Sequence, residues 1–232
     1  MEKNNKNSDA ASKNTAERLN NKAFEVNSLD ALSQYFKSAA GTRDGRAIPP
    51  LENWHPEQVD DMDLIIKANG EWWHEGGHMT RESLVSLFAT ILWKEENNGT
   101  AEYFLKTPVQ KLRIQVEDAP LLINDVGIVN EAGKSWLEFT TTTGDVVRLD
   151  DEHPIRLSAY NPKDSSGKEN ENTEAEDQIR PYMMVRNGLT ALIGRNAFYH
   201  LTNIGELTER DGETILTLQS GGNSYPLTMS SY

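Results

Sequence analysis

The run His74-Glu75-Gly76-Gly77-His78 formally satisfies the H-E-x-x-H pattern of zinc hydrolases. That chemistry needs both imidazoles on one helical face, four residues apart, with the glutamate poised as general base. Here Trp72-Trp73 read as a strand, and Gly76 and Gly77 would each cost a helix about 1 kcal/mol. No third ligand stands at a useful distance, so the spacing predicts a turn after a strand and no metal. Glu117-Asp118 is a second acidic pair that could serve acid/base or divalent-metal chemistry. Neighbours on a strand point to opposite faces, so the pair reads as a polar strand end before Pro120. His153-Pro154 reads as a turn. No nucleophile elbow, P-loop or dinucleotide fingerprint occurs.

Arginine is the more informative residue. Arg81 and Arg195 each fall just inside the start of an expected helix, where the macrodipole favours anions rather than cations. One reading is recognition of a carboxylate or phosphate, aided by free backbone N–H groups. The other is an internal salt bridge to an acid such as Asp63, Glu117 or Asp118, a common arrangement that serves geometry more than net stability. Arg186, beside the Asn187-Gly188 turn, carries the same two readings.

The elements that would position these groups follow from periodicity. Residues 1–26 lack it and read as a disordered tail. Ser28 looks like an N-cap before Leu29, Leu32, Phe36 and Ala39 at helical spacing, and a linker follows to residue 47. Leu64 to Ala68 and Glu71 to His74 form a hairpin about Asn69-Gly70. Thr80 caps a helix carrying Leu84, Val85, Leu87, Phe88, Ile91 and Leu92. A second hairpin turns at Asn98-Gly99, with Tyr103 to Leu105 on the return. Leu112, Ile114 and Val116 alternate on one buried strand face. Leu121 to Val129, Trp136 to Thr143 and Val146 to Leu149 are further strands. Residues 161–178 are acidic and poor in apolar side chains, and read as a solvated, disordered insertion. The five tryptophans read as core and packing residues.

An internal repeat organises these pieces. Asn69-Gly70, then Met79-x-Arg81-x-x-Leu84-x-x-Leu87, then Asn98-Gly99 is echoed by Asn187-Gly188, Ile193-x-Arg195-x-x-Phe198-x-x-Leu201 and Asp211-Gly212. A hairpin-helix-hairpin unit cannot bury its own face, whereas two can cover one another. The expected fold is therefore α+β: two divergent copies of a strand-turn-strand, helix, strand-turn-strand module packed together. The first module spans 48–130 and the second 131–232.

Longer motifs carry a family resemblance. Trp54-x-Pro56, Met62-Asp63, Asn69-Gly70-x-Trp72, Met79-x-Arg81, Leu87-Phe88, Thr107-Pro108-Val109 and Val116-Glu117-Asp118-Ala119-Pro120 resemble the bacterial "domain of unknown function 1285" family. Thr140-Thr141, Thr143-Gly144-Asp145, His153-Pro154, Pro181-Tyr182, Val185-Arg186, Gly188-Leu189 and Ala191-Leu192-Ile193-x-Arg195 continue it over about residues 48–205. The family's Thr-Pro-Val-Glu-Lys is Thr-Pro-Val-Gln-Lys here, so an acid at Gln110 is not required. The resemblance implies an α+β fold with repeated motifs and no established biochemical activity.

Composition bounds the partners. In 232 residues there are 23 Lys plus Arg against 36 Asp plus Glu, a net charge of −13, with no cysteine. Such a balance disfavours nucleic acid and anionic membrane surfaces as partners. Lacking cysteine, the chain has no disulfide, thiolate metal site or cysteine nucleophile, which suits a reducing compartment. No signal-peptide h-region or membrane-length apolar run is visible, so a cytoplasmic protein is expected. The function these features suggest is a non-enzymatic ligand-binding or regulatory, signalling-type module without a cofactor. A groove between the repeats, lined by Arg81, Arg186 and Arg195, would accept a small anionic ligand or an acidic protein segment. The alternative is a metal-assisted hydrolase using carboxylates such as Asp63, Glu117, Asp118 or Asp145.

Overall fold

The computed structural model describes residues 48–160, 178–210 and 212–229. The expected tail, the helix capped by Ser28 and the insertion at 161–177 lie outside these residues. A 3-10 turn at Leu51–Asn53 leads into β1 (Gln58–Ile66), β2 (Trp72–His74), β3 (Gly77–His78), α1 (Glu82–Ala89), β4 (Leu92–Asn97), β5 (Thr100–Lys106) and β6 (Gln110–Val116). Then follow β7 (Leu121–Glu131), β8 (Lys134–Thr141), β9 (Val146–Arg148), β10 (Ile155–Tyr160), β11 (Gln178–Arg186), β12 (Leu189–Ile193), α2 (Arg195–Ile204), β13 (Glu206–Arg210), β14 (Glu213–Ser220) and β15 (Asn223–Met229).

The strands make two six-stranded sheets and one three-stranded sheet. The first sheet runs β3-β2-β1-β6-β5-β4 and the second β10-β11-β12-β7-β8-β9. Numbered from its own first strand, and read from the opposite edge, the second order is the same as the first. In each, the first strand lies parallel to the last, with Gln58 opposite Gln110 in one and Ala191 opposite Leu121 in the other. All other neighbours are antiparallel.

This corrects the α+β expectation. The described chain is mostly β, with two α-helices of eight and ten residues. The hairpin-helix-hairpin run does recur along the chain. In space, however, the hairpins flanking α1 both belong to the first sheet, whereas those flanking α2 belong to the second and third sheets. The structural equivalents are therefore the two six-stranded sheets. Residues adjacent in sequence suggested the module, but parallel first-to-last pairing, which joins residues tens of positions apart, defines the sheet.

Local chemistry explains the elements. Asn98-Gly99 and Asn187-Gly188 take positive φ at both residues, the geometry that two-residue hairpins favour. At Asn69-Gly70 only the glycine does so, while the Asn69 side chain accepts the Glu71 N–H at 3.0 Å. Glu75-Gly76 turns the β2–β3 hairpin, as expected for a turn after a strand. Thr80 is not the cap of α1; Arg81 occupies that position without a side-chain bond, and the helix stops at Ala89, so Ile91 and Leu92 lie beyond it.

Leu64, Ile66, Trp72, Phe88, Leu92, Leu105 and Leu112 fill the core of the first half. Ile123, Phe139, Met183, Leu189, Ala191 and Leu201 fill the second. Of the described tryptophans only Trp72 is fully buried; Trp73 and Trp93 stay half-exposed and donate their indole N–H to Glu71 and Glu95. The third sheet is stapled to the second by buried Ser220, whose hydroxyl donates to the Leu149 carbonyl and accepts from the Leu137 N–H. No described helix is long and apolar enough to cross a membrane.

Candidate functional site

Two clusters of buried or half-buried polar side chains tie the first six-stranded sheet and its helix to the second. Glu117–Pro120 joins β6 to β7, and its two acids, in the bend just past the end of β6, point apart. Glu117 turns to the first sheet, accepting from Lys67 Nζ at 2.7 Å and the Ala68 N–H at 3.0 Å. Burial opposes ionisation of Glu117, but these contacts outweigh it and hold its carboxyl below the usual range. Asp118 turns to the second sheet, where Arg180 Nη1 donates at 2.8 Å and the Tyr182 hydroxyl at 2.7 Å.

Arg180 and Tyr182 alternate along β11 and so share a face. The guanidinium lies 3.6 Å from the Tyr160 ring centroid, stacked on β10 beside it. Burial, reinforced for Tyr182 by the bond to Asp118, raises the phenol pKa values of Tyr182, Tyr160 and Tyr103. Each therefore resists ionisation above the ordinary value of 10.0. Because the folded values lie above the unfolded one, their contribution to stability is complete below that value and lost as pH rises through the folded values. Ultraviolet titration of the folded protein should show Tyr103, Tyr160 and Tyr182 ionising late. Tyr182→Phe should remove one of them.

A second cluster anchors the β8–β9 turn. The Arg186 Nε donates to Asp145 Oδ1 at 2.8 Å, and its Nη2 donates to the Ala89 carbonyl at the end of α1 at 2.5 Å. Asp145 Oδ2 accepts from Thr143 at 3.2 Å and Thr141 at 3.3 Å, and the Asp145 N–H donates to Thr141 Oγ1 at 2.9 Å. Both charged side chains are nearly enclosed, 12 % and 4 % exposed. Arg186 Nη1 is buried without a hydrogen-bond partner among the described residues. A cation at a helix C-terminus also answers the macrodipole.

The three arginines singled out by sequence have different surroundings. Arg186 is paired to an acid and ties the second sheet to α1. Arg81 and Arg195 are exposed, and the side chain of neither makes a hydrogen bond or ion pair among the described residues. Arg81 and Arg186 meet opposite ends of α1, about 12 Å apart along its axis. The carboxylates considered for metal chemistry divide similarly. Glu117, Asp118 and Asp145 each hold a cation, and the Asp63 carbonyl accepts the Glu75 N–H. No three His, Asp or Glu side chains converge as a metal site among the described residues. His74 pairs with Gly77 and His78 with Trp73, so the two imidazoles lie on opposite hairpin faces.

Sequence reasoning left Arg180 and Tyr160 unremarked and noted Tyr182 only within the Pro181-Tyr182 motif of the family resemblance. The visible signal was the alternation Arg180-x-Tyr182 along one strand.

The comparisons with known proteins follow this division of the chain. "Domain of unknown function (DUF1285), N-terminal domain" matches residues 49–119, and "Protein of unknown function (DUF1285), C-terminal domain" matches residues 120–227. The chain belongs to the DUF1285 family. The boundary between the two DUF1285 matches falls inside the Glu117–Pro120 linker whose acids grip opposite sheets. A crystal structure of a DUF1285 family protein from Silicibacter pomeroyi DSS-3 is 33 % identical, covers 87 % of this chain and 94 % of its own, and superposes with a TM-score of 0.64. One from Shewanella baltica OS155 is 29 % identical over 61 % of this chain and 91 % of its own, with a TM-score of 0.43. No curated protein matches the chain.

Proposed function

We propose that this DUF1285 chain is a cytoplasmic, non-enzymatic binding or regulatory module that takes an acidic segment of a partner protein. What carries the reading is that Arg81 and Arg195 are both exposed and unengaged among the described residues, in a chain where acids outnumber bases by 36 to 23. An arginine with acids so abundant would ordinarily be neutralised. Each instead stands at a helix start, where unpaired backbone N–H groups and the dipole also favour an anion. Arg186 has a lesser part, since Asp145 already neutralises it. Two exposed arginines at the starts of two separate helices suit an extended acidic chain better than one small anion.

The test uses an oligoglutamate peptide and inorganic phosphate as probes, titrated at low and physiological salt. The peptide should bind, weaken with salt, and lose its affinity in Arg81→Ala/Arg195→Ala. Thermal stability of that variant should stay within the roughly 0.5 kcal/mol of an ordinary surface change. Peptide binding indifferent to both substitutions, or no binding by the wild type, would sink the reading. Binding of phosphate with equal strength would point to a small-anion site instead.

A further inference from the structure

Among the described residues, no strand pairs with the outer edge of β13 in the third sheet. All five residues of β13 are exposed, and Leu207 is 51 % exposed although its cross-strand neighbours Leu216 and Leu227 are buried. The other outer strands are guarded. β3 and β9 have two and three residues, β4 carries Lys94-Glu95-Glu96, and β10 lies near β15. β15 has Pro226. Short edges, edge charges and edge prolines are the usual defences against strand addition. β13 carries charges of both signs, Glu206, Glu209 and Arg210, but has neither proline nor bulge; its register with β14 runs unbroken from Glu206 to Arg210.

The register fixes which amides are unused. Arg210 opposite Glu213 closes the β13–β14 hairpin, and Ser220 opposite Asn223 closes the next. Hydrogen-bonded and non-bonded pairs alternate from each closing pair. Odd positions of β14 therefore bond to β13 and even positions to β15. On β13 this uses Glu206, Thr208 and Arg210, leaving the N–H and C=O of Leu207 and Glu209 pointing outward. On β15 the outward positions are Ser224, Pro226 and Thr228, so the proline sits where it blocks an edge.

We propose that β13 is a self-association edge to which a second copy of this chain adds its own β13, antiparallel, about a two-fold axis at Thr208. That register places Leu207 opposite the second copy's Glu209 and satisfies all four outward pairs of backbone groups. Centring on Leu207 satisfies only one residue per strand, and centring on Glu209 opposes two like charges. On the other face the same register sets Glu206 against the second copy's Arg210 twice, flanking Thr208 against its twin. Apart from the Leu207–Glu209 pairs, the sequence Glu-Leu-Thr-Glu-Arg thus matches its own reversal in charge, as a two-fold interface requires. Cross-strand pairs of opposite charge and the diagonal approach of the two Leu207 side chains support the joint. This surface is separate from the arginines of the proposed binding reading.

A joint this short buries less than the roughly 1,200 Å² of a standard interface, so the dimer should be weak, with dissociation constants above about 1 μM. Sedimentation equilibrium of the full chain up to about 1 mM should show reversible dimers. Hydrogen exchange supplies the register without any variant. The Leu207 and Glu209 amides should exchange at least tenfold more slowly at high protein concentration than at low, while Thr208 is protected at both. Glu209→Pro removes an outward N–H only and should leave a folded monomer. Glu206→Arg should weaken the dimer, and E206R/R210E should recover it. A wild type monomeric throughout, or dimers whose Leu207 and Glu209 amides exchange as fast as in the monomer, would overturn the proposal. So would dimers that survive Glu209→Pro.

Discussion

Replacing Asp145 by alanine should lower the unfolding free energy by about 3–5 kcal/mol, the usual consequence of removing one member of a buried ion pair. Arg186 would keep its bond to Ala89 but lose the acid facing Nε, and its Nη1 is already without a partner among the described residues. Thr141 and Thr143 would also lose their acceptor. Denaturant melts of Asp145→Ala, Arg186→Met and the double variant form the decisive set. The double variant should be less damaged than the sum of the singles, because no lone charge remains buried. Simple additivity would mean that the pair is not coupled.

Gly221→Ala should cost about 3 kcal/mol, combining overpacking with backbone strain. Gly221 has φ of 62°, and a Cβ there would lie 2.3 Å from Trp136 Cζ3 and 2.5 Å from Cη2. The glycine cannot easily retreat, since its N–H donates to the Ser135 carbonyl at 2.8 Å and Ser220 is stapled beside it. Gly222→Ala is the control. It has φ of 90° but meets nothing within 4 Å, so only the conformational cost of roughly 1–2 kcal/mol should appear. Equal losses at the two positions would show that the indole contact contributes nothing. A shift of tryptophan emission confined to Gly221→Ala would report the displaced ring.

These contacts also mark how far the sequence could be read. Hairpins with Asn-Gly were legible, because the residue type itself answers the demand for positive φ. Ala132-Gly133 adopts similar geometry with φ of 50° and 76°, yet alanine gives no such signal, and the β7–β8 turn passed unnoticed. The helices were legible as helices, but their weight in the fold was overestimated. Apolar periodicity says which face is covered, not by what, so sheet membership was beyond it. Arg186 was legible as a residue with two possible roles. Its acid could not be chosen, because Asp145 lies 41 positions away and meets it only through the packing of a turn against β11. Glu117 and Asp118 do point apart, as expected for a strand, although both lie in the bend beyond β6. The family resemblance reached the correct relatives, while its implied α+β balance did not hold.

The first-to-last strand pairing has a consequence for how the chain is made. β1 finds its parallel partner only when β6 exists, and β7 only when β12 does. Such pairing maximises sequence separation within each half, and non-local contacts slow folding. During translation, therefore, an incomplete half leaves its opening strand with an unsatisfied edge, and the N-terminal sheet closes only as Gln110–Val116 emerges. Truncation anywhere inside 58–116 should yield an insoluble fragment rather than a smaller sheet. The same closure places the beginning and end of each sheet side by side, which is the arrangement that lets a segment be copied in tandem without rebuilding its neighbours.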